Sequence, residues 1–256
     1  MNIKIVIEYD GADFYGWQRQ PNLRTVQGEI VKCLSALAGH EILIDGSGRT
    51  DGGVHAYGQV ATFNWTGKIP VDKLQYVMNH RLPKDIYITS LEEVDTDFHA
   101  RFSACGKCYT YKLYKSDRPK PLKRRHAYRV PKTINVLDMK EAAAHVVGEH
   151  DFKSFMASGS FVTDTVRTIY KVTIDEVGDE IHLRFYGNGF LYNMVRILTG
   201  MLVDIGLGIK RPDLVPHIIE SKDRTLVEHT AAAEGLYLTE VYYNKETLER
   251  ALKSSE

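Results

Sequence analysis

Gly46-Ser47-Gly48-Arg49-Thr50-Asp51-Gly52-Gly53-Val54-His55-Ala56 is the stretch around which the rest of the chain is read. Four glycines within eight residues surround one arginine and one aspartate. Glycine is favoured where the backbone must take φ > 0 or come close to another group. A loop built this way is tight and leaves its few side chains little covered. Arg49 and Asp51 are two apart, so an extended backbone points both to one side. Two readings follow from the local pattern. One is a guanidinium and a carboxylate displayed together at the mouth of a site. The other is a turn whose aspartate caps something and whose arginine is solvated. The glycines do not form a phosphate-binding loop, because no Gly-Lys-Ser/Thr follows, and they lack the GxGxxG spacing.

Working outward, β-branched Ile3–Tyr9 precedes Asp10-Gly11 and reads as a strand. The loop Asp10–Asn22 carries Phe14, Tyr15, Trp17, Gln18 and Arg19, either a lid packed on the core or a base-stacking surface. Thr25 caps a helix to about Ala38, with Val26, Ile30, Leu34 and Leu37 on one face. Gly58–Trp65 and Ile86–Val94 read as strands, separated by a short helix around Leu74, Val77 and Met78 that ends at Leu82-Pro83. Tyr109–Tyr114 is an aromatic-rich strand.

Asn135 starts a helix that runs through Val146 to a stop at Gly148. Val166–Val177 and Ile181–Tyr186 alternate around Gly178-Asp179, the signature of a hairpin. Leu191–Ile205 and Pro212–Ser221 read as helices, Leu236–Tyr243 as a closing strand and Glu246–Lys253 as a terminal helix. Mixed elements with hairpins give an α+β fold rather than a doubly wound parallel sheet. The expected division is residues 1–105, residues 106–243 and an exposed tail, 244–256.

At 256 residues, with 43% hydrophobic and 26% charged residues, the composition is that of a soluble globular protein. Basic and acidic residues balance at 33 each, so any nucleic-acid binding relies on a local surface and not on bulk charge. Three cysteines, no signal-peptide pattern and no apolar run of membrane-spanning length imply a cytoplasmic protein. Cys105-Gly106-Lys107-Cys108 lacks the second pair a zinc site needs and reads as incidental.

Two features stand apart. Arg196 is the only charge from Gly187 to Val203, on a helix apolar nearly all round. An arginine cannot shed its proton, so it either meets a carboxylate or faces a polar cleft, unless it snorkels to water. Asp51, on its open loop, is a natural partner. The second feature is the basic segment Lys115, Arg118, Lys120, Lys123, Arg124, Arg125, Arg129 and Lys132. Prolines at 119, 121 and 131 make it a loop, either one that contacts phosphates or an ordinary solvated one, with nucleic-acid contact favoured.

Gly48–Ala56 resembles the catalytic signature of the tRNA pseudouridine synthase A family. So do Tyr9-Asp10-Gly11 with Gly16-Trp17-Gln18, Thr25–Gly28, Asp97–Ala104 followed by Tyr109, and Gly148–Phe152 with Ser154-Phe155. Met194-Val195-Arg196, Lys222–Thr225 and Ala233–Leu238 complete the set in family order.

The resemblance implies two similar α/β halves with mainly antiparallel sheets joined into one extended sheet, and an active-site cleft between them. It implies isomerisation of uridine to pseudouridine in the tRNA anticodon stem-loop, at tRNA positions 38, 39 and 40. No metal or organic cofactor is involved, and tRNA is the partner of a homodimer. Asp51 matches the catalytic aspartate (the nucleophile) and Arg196 the arginine that salt-bridges it. Tyr109 matches the tyrosine that stacks on the target base. Arg49 matches an RNA-contacting arginine and Leu236 an apolar pocket residue. Arg124 and Arg125, in the basic segment, join the substrate-binding set. The carboxylate attacks C1′, adds to C6 or abstracts a sugar proton; the sequence leaves all three open. The alternatives are a paralogue with a shifted or narrower RNA target, or a non-catalytic RNA-binding or RNA-folding protein on the same scaffold. Gly52, where the family usually has Ala or Ser, is a departure.

Overall fold

The computed structural model describes residues 1–159 and 162–254. In chain order the elements are β1 (Asn2–Tyr9), α1 (Val26–Ala38), β2 (Asp45–Gly46), β3 (His55–Asn64), α2 (Val71–Arg81), β4 (Ile86–Val94) and β5 (Gly106–Lys115). Then follow β6 (Tyr128–Val130), α3 (Val136–Ala144), β7 (Gly148–Asp151), β8 (Val166–Val177), β9 (Glu180–Gly187), α4 (Met194–Gly206), α5 (Val215–Ser221), β10 (Leu236–Tyr242) and α6 (Lys245–Lys253). The fold is α+β, as the mixture of hairpins and helices implies. Among the described residues, no helix is long and apolar enough to cross a membrane.

Two compact units result: Met1–Cys105 with Tyr237–Lys245, and Gly106–Leu236 with the stretch from Glu246 onward. In the first unit the strand order is β4-β1-β3-β10, with β2 also on β3. β1 lies antiparallel to both β3 and β4. β10 joins β3 in parallel, Tyr237 opposite His55. Ile3, Ile5 and Ile7 alternate along β1 and are fully buried. α1 starts where expected, Thr25 accepting from Gly28 N, and buries Val26, Ile30 and Leu34 at four-residue spacing. Each such side chain contributes about 1.5–3 kcal/mol when fully buried. Of the aromatic loop after β1, Phe14 and Trp17 are buried and Tyr15 is exposed, so most of it is packed lid.

In the second unit the order is β5-β9-β8-β7, with β6 parallel to β5. β8 and β9 form the expected hairpin, with Val177 opposite Glu180 and Gly178 at φ 63°. Glycine at the first position of a two-residue loop supplies that positive φ at no steric cost. Two boundaries differ from the sequence reading. α3 ends at Ala144, not at Gly148; Gly148 takes φ 116° and opens β7, which pairs with β8. α4 begins at Met194 because Asn193 stands in the left-handed region, at φ 59°. α6 is not wholly exposed, since Leu248 is buried and a Cβ on Gly106 would meet its side chain at 2.9 Å.

Candidate active site

In the first unit, β2 pairs with Thr62 and Ala61 of β3, so the glycine-rich loop leaves and returns to one strand. Ser47 anchors its start. The Ser47 amide donates to Val60 O (2.7 Å) and its hydroxyl to Gln59 Oε1 (2.7 Å). Gln59 Nε2 donates onward to Gly48 O (3.0 Å). Thr50 is the second anchor. Its Oγ1 shares a buried 2.7 Å hydrogen bond with Tyr9 OH, and its carbonyl accepts from Trp17 N (3.0 Å). Burial holds the Tyr9 phenol far above its ordinary range, against the opposing hydrogen bonds from Thr50 and Gln59, so it stays protonated.

The aromatic lid presses on the loop from outside. A Cβ on Gly16, itself at φ 94°, would stand 2.6 Å from Thr50 O. A Cβ on Gly46 would strike the Trp17 ring at 2.5 Å. Glycine at both positions is therefore a condition of closure. After the tip, Val54 N donates to Asp51 O (3.1 Å) and Gly53 N to Phe14 O (3.3 Å). Asp51 is half-buried and Arg49 exposed. His55 Nδ1 accepts from Gly11 N (3.0 Å), and its ring stacks on Tyr237 at 4.7 Å. Tyr57 also stacks on Tyr237, at 5.0 Å and 10°. The lone Arg49–Asp51 display seen in the sequence is thus carried on a backbone fixed at both shoulders.

In the second unit, Arg196 occupies the first turn of α4 and is half-buried. Its Nε donates to Ala231 O (2.8 Å) and its Nη1 to Asn193 Oδ1 (2.9 Å). Asn193 thereby serves the arginine rather than capping the helix, which its left-handed backbone allows. Tyr109, on β5, is buried with its ring edge-to-face against Phe190 at 5.1 Å. Leu236 is buried as well, behind a short turn closed by Gly235. No side chain fits at Gly235, where a Cβ would be 2.5 Å from the Tyr111 ring. Tyr111 OH donates to Ala232 O (2.5 Å). Asn193, Ala231 and the Tyr9–Thr50–Gln59 cluster were missed by sequence reasoning; a backbone carbonyl such as that of Ala231 leaves no compositional trace.

The basic segment is more internally engaged than its charge count suggests. Lys120 and Lys123 converge on Asp179 at the tip of the β8–β9 hairpin, and Lys123 also reaches Glu180 (2.7 Å). Lys115 pairs with Glu176 and Lys132 with Asp117 (3.2 Å). The pairs with Glu176, Asp179 and Glu180 tie the segment to the hairpin, and Lys132–Asp117 closes the segment on itself. Arg124 is exposed and Arg125 half-buried. Cys108 is buried in β5, whereas the Cys105 thiol donates to Tyr242 O (3.3 Å).

A family sequence model described as tRNA pseudouridine synthase matches residues 5–103 and 142–244. A protein named tRNA pseudouridine synthase A from Acetivibrio thermocellus is 46% identical over 242 residues, 94% of this chain and 99% of its own. One of the same name from Bacillus subtilis is 47% identical over 246 residues, 95% of this chain and all of its own. A solved structure, a Cbf5-Nop10-Gar1 complex, aligns at 14% identity and a TM-score of 0.39, over 92% of this chain and 48% of that one.

Proposed function

Because the chain belongs to the tRNA pseudouridine synthase A family, we propose that Asp51 is the residue with which it converts uridine to pseudouridine in tRNA. The enzyme is an isomerase. The C1′–N1 glycosidic bond is exchanged for a C1′–C5 bond, C5 loses a proton and N1 gains one. Atoms and electrons balance within the nucleotide, so the step needs no oxidant, reductant or group carrier. The chemistry asks for a group that attacks C1′ or C6, or removes a sugar proton, and for walls that keep the detached base in place. A carboxylate serves each of the first three roles.

The observation that carries Asp51 is the fixing of its loop on both sides. Thr50 is locked by Tyr9 and Trp17, and Val54 N closes on Asp51 O. A reactive group on such a backbone loses little freedom on the way to the transition state. Arg196 is assigned to hold that carboxylate ionised and oriented. In support, Ala231 O and Asn193 Oδ1 hold its Nε and Nη1, so the half-buried guanidinium has a fixed plane with which to orient a carboxylate. Tyr109 is assigned to the flipped uracil, since its ring is already held by Phe190 and an extruded base needs an aromatic face. Leu236 lines the pocket. Arg49, Arg124 and Arg125 contact the RNA. The target is the anticodon stem-loop, the assembly a homodimer with tRNA bound across both subunits, and the location the cytoplasm.

Site-resolved mapping of pseudouridine in tRNA incubated with the purified protein tests this reading. New pseudouridine confined to the anticodon stem-loop is expected. Modification elsewhere would overturn the target, and no modification of any tRNA would overturn the activity.

A further inference from the structure

Arg196, Gly200 and Asp204 stand at four-residue spacing on α4, so they form one stripe along the helix, about 12 Å from end to end at 1.5 Å per residue. The irregular segment Val227–Ala232 runs back along that stripe. At one end, Ala231 makes two contacts with Arg196, its N donating to Arg196 O (3.0 Å) and its O accepting from Arg196 Nε (2.8 Å). In the middle, the His229 carbonyl lies so close to the helix that a Cβ on Gly200 would be 2.3 Å from it. At the other end, the His229 side chain closes the strap, Nδ1 lying 2.8 Å from Asp204 Oδ1. The ring is backed by Tyr128, edge-to-face at 6.1 Å. Asp204 is little exposed, so its carboxylate needs this partner.

We propose that His229, gripped by Asp204, is a positioning residue for Arg196. The His229–Asp204 bond pins the strap. The strap sets where the Ala231 carbonyl sits, and that carbonyl aims the guanidinium through Nε. His229 touches no reacting atom in this scheme. The inference rests on the assignment of Arg196 to the catalytic aspartate, and it adds a part to that assignment two helical turns away.

The test is a kinetic cycle on the full-length protein with tRNA. His229→Phe keeps a ring against Tyr128 and Gly200 but has no Nδ1. His229→Asn places an amide nitrogen near the Nδ1 position and can restore the bond to Asp204. Arg196→Lys keeps the charge but lacks Nε. His229→Phe is expected to lower kcat about tenfold, the scale of a sub-ångström misplacement, with tRNA affinity unchanged. His229→Asn should recover most of that loss. In the Arg196→Lys background, His229→Phe should have no further effect, because the group it positions is gone.

Full turnover in His229→Phe, a loss carried by tRNA affinity, or losses that multiply in the double variant would each overturn the inference. If His229→Phe does not fold, failure of the folded His229→Asn to retain turnover overturns it, and near-normal turnover there supports it. Wild-type turnover in Arg196→Lys together with a loss in His229→Phe would instead overturn the assignment of Arg196, so the two failures are told apart.

Discussion

The hydrogen bond between Tyr9 and Thr50 offers a direct probe of how the Asp51 loop is held. It joins the end of β1 to the residue before Asp51 across 2.7 Å, with both side chains under 10% exposed. Tyr9→Phe removes a single oxygen and leaves Thr50 Oγ1 without that partner in a buried place. Such an orphaned hydroxyl costs about 1–3 kcal/mol. Thr50→Val removes the same bond from the side of the Tyr9 hydroxyl, at a cost in the same range. In the double variant both polar groups are gone and two apolar surfaces meet. Its cost should fall short of the sum of the singles by about 1 kcal/mol. Urea unfolding of the four proteins measures this, and single-turnover rates with tRNA report the loop. Each single should slow turnover about tenfold with tRNA affinity unchanged, because Asp51 follows Thr50 directly. Strictly additive stabilities, or unaltered turnover alongside the stability loss, would refute the claim that this bond holds the catalytic loop.

Gly52→Ala should be tolerated and raise stability by about 0.4–1 kcal/mol, since the added Cβ meets nothing nearer than Phe14 O at 3.4 Å and no positive φ is required there; a melting temperature below wild type would contradict this. The hydrogen bond from Lys120, and then that from Lys123, hold the Asp179 carboxyl down to about 2, below its ordinary 3.8. A depressed folded value means that the tie is fully present above about pH 4 and is lost as pH falls toward about 2. Exchange protection of the Lys115 amide, which donates to Asp179 O (2.7 Å), should follow that course and lose it in Asp179→Asn; protection that is already lost at pH 5 would disprove it. Reversing Arg124 and Arg125 to Glu should weaken tRNA binding and flatten its salt dependence. Lys123→Glu should instead loosen the loop from the hairpin, seen as faster proteolysis near residue 123, and equal rates in both variants would remove the distinction.

Much of this fold was legible because its determinants are local. The Gly178-Asp179 hairpin, the Thr25 cap and the four-residue spacing of Val26, Ile30 and Leu34 need only neighbouring residues to be read. β7 was not legible, since Gly148-Glu149-His150-Asp151 has no apolar alternation and becomes a strand through pairing with β8. The parallel match of Tyr237 with His55 joins distant parts of the chain and has no local signature. At the site, Arg196 was visible as a charge misplaced in an apolar helix. Its bonds to Ala231 O and Asn193 Oδ1 were not, because a backbone carbonyl and an asparagine in a rare backbone conformation leave no sequence signal. The basic segment showed its charge but not its acidic partners, which lie on the hairpin tip and are set by tertiary contact. The role of Asp51 came into view only through the ordered set of family motifs; a glycine-rich loop bearing one carboxylate admits a bland reading as readily as a catalytic one.

The most direct test of the central claim is Asp51→Asn. The substitution keeps the size of the side chain and removes its charge and nucleophilicity. Pseudouridine formed per tRNA should be measured under single-turnover conditions, with the enzyme in excess and its tRNA affinity determined in parallel. Asp51 as the catalytic carboxylate predicts tRNA binding retained and no pseudouridine formed. Pseudouridine accumulating at the wild-type rate in Asp51→Asn would contradict it.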